Sequence, residues 1–379
     1  MAVLGATAMA LALATPVQAD PPAGVTPAVG DLVGVGSDTT QDVMNHLTRG
    51  RDLNNDGDIL DTDECGYNTN ADGDLICNEA GDVPAVKVYS FDATPQPSTI
   101  IPAAGCTPIA RPNGSGAGIT TVRNDATGCT DFARSSRPLT ASETGLTQRS
   151  LAKDAVSWAV APGSHAPATL TSAQLKGIYE CTITNWSTVG GIPGTIVPIL
   201  PNVASGTRSF FLGAIGAPAI GTCVINGVDG DGSGRVIQEN DARELTDALK
   251  SGQSAIEAII PYSVAKYVFQ GKASSGQTAE RASSRIGNVD CNTPIDASGA
   301  VDPANFNAAT EDPVNGTGAT EALNANFCIA QTTTVNKYGR TVFNDFKNIG
   351  APGVSGFLAF RTSTAGDRIV TLGGFALVP

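Results

Sequence analysis

Three turns of similar composition, each placed between a short apolar strand and a helix, constrain the fold of this chain most strongly. The turns contain Ser37-Asp38-Thr39, Ser115-Gly116 and Ser205-Gly206-Thr207. A turn of this kind leaves backbone N–H groups unpaired at the positive end of a helix dipole, and glycine lets another atom approach the backbone closely. Strands that alternate with helices in this way predict an α/β fold with largely parallel sheets.

Other segments extend the alternation. Strands are predicted at 31–35, 86–91, 131–134, 155–161, 195–200 and 258–261, and helices follow the three turns and occupy 172–180, 239–250 and 263–269. A long irregular region, 270–326, is rich in Gly, Ser, Asn and Ala. With 379 residues, of which 41% are hydrophobic, the chain is large enough for two lobes with buried cores.

The charge of the chain makes some partners and activities poor candidates. Lys and Arg number 23 against 36 Asp and Glu, which gives a net charge of −13. An acidic protein repels nucleic acid and anionic membrane surfaces, so neither is expected as a partner. The two histidines, His46 and His165, lie in no catalytic motif, and no nucleophile–histidine–acid set is visible. We therefore do not expect an enzyme.

The N-terminus predicts export. Residues 2–16 form an apolar run and residues 17–19 resemble a signal-peptidase site, so 1–19 is interpreted as a secretory signal removed before Asp20. The alternative is an N-terminal helix that stays buried in the fold. No later segment reaches the ~18 apolar residues of a membrane span, and no cysteine near the cleavage site indicates a lipid anchor. The mature protein is expected to be secreted or periplasmic.

Eight cysteines in an exported chain predict disulfide bonds. Eight cysteines allow 105 pairings. Sequential pairing is expected, because each pair then brackets one loop. The predicted bonds are Cys65–Cys77, Cys106–Cys129, Cys181–Cys223 and Cys291–Cys328.

Five segments, in order, carry a resemblance to a known family. They are GVGSDT at 34–39, NGSGAG at 113–118, TDFARSSRPL at 130–139, LTSAQLKGIYECTITNW at 170–186 and ASGTRSF at 204–210. This ordered set resembles the phosphate-binding receptors of ABC transporters, the PstS-like substrate-binding proteins. The resemblance implies two α/β lobes with a ligand cleft between them, binding without catalysis, and a transporter permease as a possible partner.

The resemblance also implies a domain organisation. We expect a first lobe at 20–160, a second lobe at 161–270, and an irregular excursion at 271–379 that returns to the first lobe. Two insertions into this frame are expected, at about 50–82 and 221–241.

The three turns would hold an oxyanion if the resemblance extends to the site. The expected ligand-binding residues are Ser37, Asp38, Thr39, Ser115, Gly116, Arg134, Ser136, Arg137, Ser205, Gly206 and Thr207. The alternative is that each turn only caps its helix, since Ser, Thr and Asp are common N-caps.

Two departures from the family pattern bear on the ligand. Ser136 stands where the family commonly has an acid that accepts a proton from phosphate, and Pro201 and Val203 stand where an Arg and an Asp are usual. Arg134, Arg137 or Arg208 could supply the missing positive charge, or could be surface residues. Phosphate is the leading ligand, with sulfate, another oxyanion or a lost ligand as alternatives.

Three acidic loops predict calcium binding. Each resembles an EF-hand loop, with oxygen-bearing side chains at alternating positions and Gly at the sixth. The expected ligands are Asp52, Asn54, Asp56, Asp58 and Asp63 in the first loop, Asn68, Asn70, Asp72, Asp74 and Glu79 in the second, and Asp229, Asp231, Ser233, Arg235, Asn240 and Asp241 in the third. The alternative is a solvated acidic turn. Calcium would be structural here.

Two functions follow from these patterns. The first is an exported protein that binds phosphate or a similar oxyanion. The second is a secreted, calcium-stabilised surface or matrix protein that has kept the fold and lost the ligand.

Overall fold

The structure is a computed structural model of the chain. It describes residues 20–22, 24–50, 66–68, 84–94, 98–216, 218–272, 275, 277–289, 314–315, 322–323 and 338–378. The predicted signal peptide and the first acidic loop lie outside these residues, as does the second acidic loop apart from Asn68.

Strands and helices alternate along most of the chain. The strands are β1 (Leu32–Gly36), β2 (Val88–Ser90), β3 (Thr99–Ile100), β4 (Ile109–Ala110), β5 (Phe132–Ser135), β6 (Thr147–Val160), β7 (Thr169–Leu170), β8 (Val197–Leu200), β9 (Ile225–Asn226), β10 (Ala258–Ser263), β11 (Arg285–Val289), β12 (Val314–Asn315), β13 (Ala322–Leu323) and β14 (Gly339–Phe346). The helices are α1 (Gln41–Arg49), α2 (Ser115–Asn124), α3 (Ser172–Tyr179), α4 (Gly206–Ala214), α5 (Glu244–Asp247), α6 (Val264–Gln270), α7 (Thr278–Arg281), α8 (Val354–Arg361) and α9 (Thr364–Leu372).

A central sheet runs in the order β2-β1-β5-β14-β6-β10-β8-β9, with β11 paired to β6 and β7. The pairs β1–β2, β1–β5, β8–β10 and β8–β9 are parallel. Strands β6 and β14 run antiparallel to their neighbours. The sheet is therefore mixed, and the prediction of largely parallel sheets holds only for the outer strands.

Strand β6 joins the two halves of the sheet. Its first part pairs with β14, up to Ala155 opposite Gly339, and its second part pairs with β10 from Val156 onward. A strand shared in this way fixes the two lobes to one another at its midpoint. The fold is the α/β, two-lobed architecture that the sequence predicted, while the residue boundaries of the lobes stay a prediction.

Each half of the sheet has its own hydrophobic core. One contains Trp158 and Trp186, both fully buried. The other is built around Phe132, whose ring lies 5.3 Å from that of Phe346 and 6.5 Å from that of Phe357. Two further clusters, one containing Tyr262 and the other Phe91, complete the apolar packing.

Some predicted elements differ from those observed. Helix 239–250 is reduced to α5, because the side chains of Glu239, Asn240 and Asp241 form hydrogen bonds that fix this segment outside the helix. Strand β6 begins eight residues before the predicted 155, since its polar first half is paired with β14.

Two of the four predicted disulfides are confirmed, Cys106–Cys129 and Cys181–Cys223. The cysteines of the other two lie outside the described residues. Within the part of the chain that the structure describes, no helix is long and apolar enough to cross a membrane.

Candidate functional site

The first and second turns meet through two glycines. Gly36 ends β1 with φ +122°, and a Cβ added there would lie 2.7 Å from the carbonyl oxygen of Arg134 and 3.2 Å from the Cα of Gly118. A Cβ on Gly118 would in turn lie 2.5 Å from the Cα of Gly36. Only glycine at both positions allows α2 to begin this close to the end of β1.

The second and third turns are also in contact. The backbone N–H of Gly116 donates to the carbonyl of Ala204 at 3.0 Å. A Cβ on Gly206 would lie 2.2 Å from the hydroxyl oxygens of Ser115 and Ser136, which are themselves 3.2 Å apart. The structure thus places Gly206 of α4 against Ser115 of the second turn and Ser136.

The first and third turns meet through two threonines. The hydroxyl oxygens of Thr39 and Thr207 are 3.1 Å apart, and both residues are buried. The three turns therefore converge on one buried site between the lobes, although they are widely separated in sequence.

Arg340, which was not predicted from the sequence, adds a cation to this site. It lies on β14 directly opposite Asp154 of β6. Its Nε and Nη2 donate to Asp154 Oδ2 at 2.9 and 2.7 Å, and Nη2 also donates to the Thr207 hydroxyl at 3.1 Å. Its Nη1 is buried without a hydrogen-bond partner among the described residues. The Nη1 amino group, with two N–H donors, is therefore unpaired among the described residues beside the third turn.

Arg134 braces the first turn. Its fully buried side chain donates from Nε to the Ser37 carbonyl at 3.1 Å and from Nη1 to the Phe91 carbonyl at 2.6 Å. Burial lowers the pKa of Arg134 to about 10, so it is a cation at neutral pH. Its N–H groups donate to the first turn and to the end of β2, so its positive charge lies next to the first turn.

The other two candidate arginines have partners of their own. Arg137 forms a two-pronged pair with Glu143 at 2.7 and 2.6 Å, at the rim of the second turn. Arg208 donates from Nη1 to the Pro201 carbonyl at 2.7 Å and so holds the third turn to α4. Arg340, which was not among the three candidates, instead contacts Thr207 of the third turn with its guanidinium.

Asp38 and Lys266 set the electrostatics beside the first turn. Lys266 Nζ lies 3.8 Å from Asp38 and donates to Asp42. Burial, together with the nearby Glu239, raises the pKa of Asp38 to about 7 against the opposing effect of Lys266. Burial opposes the charged form of Lys266, but Asp38 and Asp42 keep its pKa above the ordinary value. Asp38 can therefore exchange a proton near neutral pH.

The side chain of Glu239 forms hydrogen bonds with the third turn. Its Oε2 accepts a hydrogen bond from the Ser205 hydroxyl and another from the Thr207 backbone N–H at 3.2 Å. Its Oε1 is buried without a hydrogen-bond partner among the described residues. A carboxylate of the chain thus contacts two groups expected to bind a ligand.

The third acidic loop pairs its carboxylates within the protein. Both oxygens of Asp229 accept from the Ser233 hydroxyl, and Arg235 bridges Asp229 at 3.1 Å and Glu244 at 2.7 Å. Two predicted ligands point elsewhere, since Asp241 pairs with Arg243 and the amide of Asn240 donates to Asp38 and Thr39.

Asn68, the first predicted ligand of the second loop, also has another role. Its side chain exchanges hydrogen bonds with the backbone of Val88, at 2.6 and 2.9 Å. In the regions with described coordinates, no three His, Cys, Asp or Glu side chains are grouped as a metal ion would require. Calcium binding stays a prediction.

Comparison with known proteins identifies similar folds. A sequence model of the PBP superfamily domain matches residues 101–364. An ABC-type phosphate transport receptor from Vibrio cholerae aligns with a TM-score of 0.50 at 18% identity, over 92% of this chain and 100% of that one. A Clostridium perfringens protein, described as a phosphate ABC transporter substrate-binding protein and solved with bound phosphate, aligns with a TM-score of 0.51 at 18% identity over the same shares. No curated protein sequence matches the chain.

Proposed function

The chain belongs to the PBP superfamily, and from this premise we propose that it is a solute-binding protein for phosphate or a similar oxyanion. The ligand would lie where the three turns converge. The proposal includes no catalytic step.

The observation that carries the proposal is the convergence of donors on one buried place. Ser115 and Ser136 abut Gly206, and Thr39 contacts Thr207. Arg340 adds a guanidinium whose Nη1 amino group has no partner among the described residues. Hydroxyls, helix N-termini and a guanidinium are the groups that bind tetrahedral oxyanions in proteins.

The balance of buried cations and acids around the site favours a ligand that carries a small negative charge. The buried cations Arg134, Lys266 and Arg340 are opposed by the buried acids Asp38, Asp42, Asp154 and Glu239. Binding therefore depends on directed hydrogen bonds more than on excess positive charge, which fits the acidic composition of the chain.

Two further parts of the proposal rest on sequence. Export follows from the predicted signal at 1–19, and an ABC transporter permease is the proposed partner because of the family resemblance. Structural calcium in the acidic loops is proposed on their ligand spacing.

Calorimetric titration of the phosphate-free protein tests the function. We expect one phosphate per chain, and sulfate in the same experiment shows whether the site discriminates between the anions. Since Ser136 is not an acid, we expect sulfate to bind as well.

The second candidate function is a secreted protein of this fold that has lost its ligand. Glu239 favours it, because its carboxylate already accepts the hydrogen bonds of Ser205 and Thr207. The absence of heat with either anion, in the wild type and in variants without this carboxylate, would favour this candidate.

A further inference from the structure

Three consecutive residues between β9 and α5 contact the three turns, one turn each. Gln238 accepts a hydrogen bond at 2.8 Å from Asn113, which precedes the second turn. Glu239 accepts from Ser205 and Thr207 of the third turn. Asn240 donates to Asp38 and Thr39 of the first turn, at 3.1 Å in each case. We call residues 238–240 the plug.

The conformation of the plug is defined by an unusual backbone torsion at Asn240 and by hydrogen bonds to β10. Asn240 has φ +56°, in the left-handed region that non-glycine residues rarely adopt. Its Oδ1 accepts from the Ser263 N–H at 2.8 Å, and its carbonyl accepts from the Tyr262 hydroxyl at 2.7 Å. An unusual backbone conformation that is fixed by several contacts is typical of functional segments.

Glu239 makes the contacts that an oxyanion would make. A carboxylate is itself an oxyanion, and here Glu239 Oε2 accepts hydrogen bonds from the Ser205 hydroxyl and from the Thr207 backbone N–H in the first turn of α4. The fit is incomplete, because Glu239 Oε1, the Ser37 hydroxyl and Arg340 Nη1 are buried without hydrogen-bond partners among the described residues. Unpaired buried polar groups are costly. A ligand with four oxygens could satisfy more of the donors than the two oxygens of a carboxylate.

We propose that the plug is a built-in competitor: the Glu239 carboxylate occupies the anion-binding turn in the free protein, and phosphate binds by displacing it. This inference rests on the proposed function. The apparent affinity for phosphate then equals the intrinsic affinity multiplied by the fraction of molecules in which Glu239 is displaced. The plug belongs to the segment that carries the third acidic loop, so ligand binding and the conformation of that loop are coupled.

Calorimetry with Glu239→Gln tests the competition. Glutamine keeps the size of the side chain and removes its charge, so phosphate and sulfate should both bind more tightly, by roughly 10-fold or more, since hydrogen bonds to a charged group are worth about that factor. Glu239→Ala serves as a second variant that removes both oxygens. Glu257→Gln is the matched control, because Glu257 directly precedes β10 and pairs with His165 at 2.8 Å. Circular dichroism verifies that each variant is folded.

The outcomes are distinct. Tighter binding in both Glu239 variants, with Glu257→Gln unchanged, supports the proposal, as does binding that appears only when Glu239 is replaced. Equal or weaker phosphate binding in the variants overturns the proposal and leaves the proposed function standing, since Glu239 would then not compete with the ligand. Absence of binding in the wild type and in both variants overturns the proposed function and the plug with it.

Hydrogen exchange provides a second readout. Displacement of the plug predicts that phosphate increases amide exchange in the segment around 238–240 while it slows exchange at the start of α4. Slower exchange in both segments would overturn the proposal, because the plug would then stay in place over the ligand.

Discussion

Arg340 and Asp154 form a buried ion pair between directly opposed residues of β14 and β6, at the point where β6 passes from one half of the sheet to the other. The same guanidinium donates to Thr207 at the third turn. The Ser263 hydroxyl and the Ala265 N–H also donate to Asp154, at 2.8 and 3.0 Å. The ion pair therefore connects the junction of the lobes to the candidate anion site.

Replacement of Arg340 by lysine should weaken phosphate binding about 10- to 100-fold, because lysine keeps the charge and loses the planar set of N–H donors. Arg149→Lys is the matched control, since Arg149 lies on the exposed first part of β6. Calorimetry measures the affinity. Equal phosphate affinity of Arg340→Lys and the wild type would exclude Arg340 from the site.

Replacement of Arg340 by alanine should also destabilise the protein, by about 3–5 kcal/mol, because Asp154 would remain buried without its counter-charge. Chemical unfolding measures the free energy of unfolding. A loss well below 1 kcal/mol would show that the pair is not buried in solution.

Replacement of Ser115 by alanine should weaken phosphate binding roughly 10- to 150-fold, the value of a hydrogen bond to a charged ligand. Ser115 is fully buried, and its hydroxyl lies between Ser136 and Gly206. Ser150→Ala, on the exposed part of β6, is the control. The assignment of the second turn to the site is wrong if both variants bind phosphate equally well.

Much of the site could be predicted from local sequence. The Gly, Ser and Thr composition of the three turns is a property of short segments. The first and third turns follow β1 and β8 of the central sheet, whereas the second follows β4, which pairs with β3 in a separate two-stranded sheet. Arg340 could not be found in this way, because its role depends on register with Asp154, 186 residues away in sequence. The alternating burial of Arg340, Val342 and Asn344 along β14 is visible only in the structure.

The conformations of the polar half of β6 and of the plug also could not be predicted from local sequence. The sequence TQRS at 147–150 has little strand character, and it forms a strand because β14 supplies a partner. The helical pattern at 239–250 is overridden at Glu239 and Asn240, whose side chains are bonded to the turns. Long-range contacts decide the conformation in both places.

Asp345 predicts a pH dependence of stability. Burial raises its pKa to about 7, although Gln148 donates to its Oδ1 at 2.8 Å. A carboxyl whose folded pKa lies above its unfolded pKa of 3.8 binds its proton more tightly in the folded state. Its contribution to the free energy of unfolding is therefore full at low pH and is lost as pH rises from about 4 to about 7.

Asp345→Asn should accordingly stabilise the protein at pH 8, by at most about 4 kcal/mol, and have little effect near pH 4. Urea unfolding at the two pH values measures the difference. Asp247→Asn, at an exposed position of α5, should show no such pH dependence. Equal effects of Asp345→Asn at both pH values would contradict a raised pKa.

Calcium should stabilise the protein, because an ion that binds only the folded state raises the free energy of unfolding, by about 2.7 kcal/mol at 100 times its Kd. Asp72→Ala in the second loop should reduce the effect. Asp229→Ala should reduce it less, since Asp229 is already paired with Arg235. Thermal unfolding in calcium and in excess chelator measures the stabilisation in each protein. Identical melting temperatures of the wild type in the two conditions would exclude calcium binding.

The central claim is that an oxyanion binds where the three turns converge. Calorimetric titration of phosphate into phosphate-free Glu239→Gln, and into the same variant carrying Thr207→Val, tests it most directly. Thr207 contacts both Thr39 and Arg340, whereas Thr120→Val, at an exposed position of α2, is the matched control. The account predicts one phosphate per chain in Glu239→Gln, affinity roughly 10-fold or more lower with Thr207→Val, and no change with Thr120→Val. No heat in Glu239→Gln, or equal affinity with and without the Thr207 hydroxyl, would contradict it.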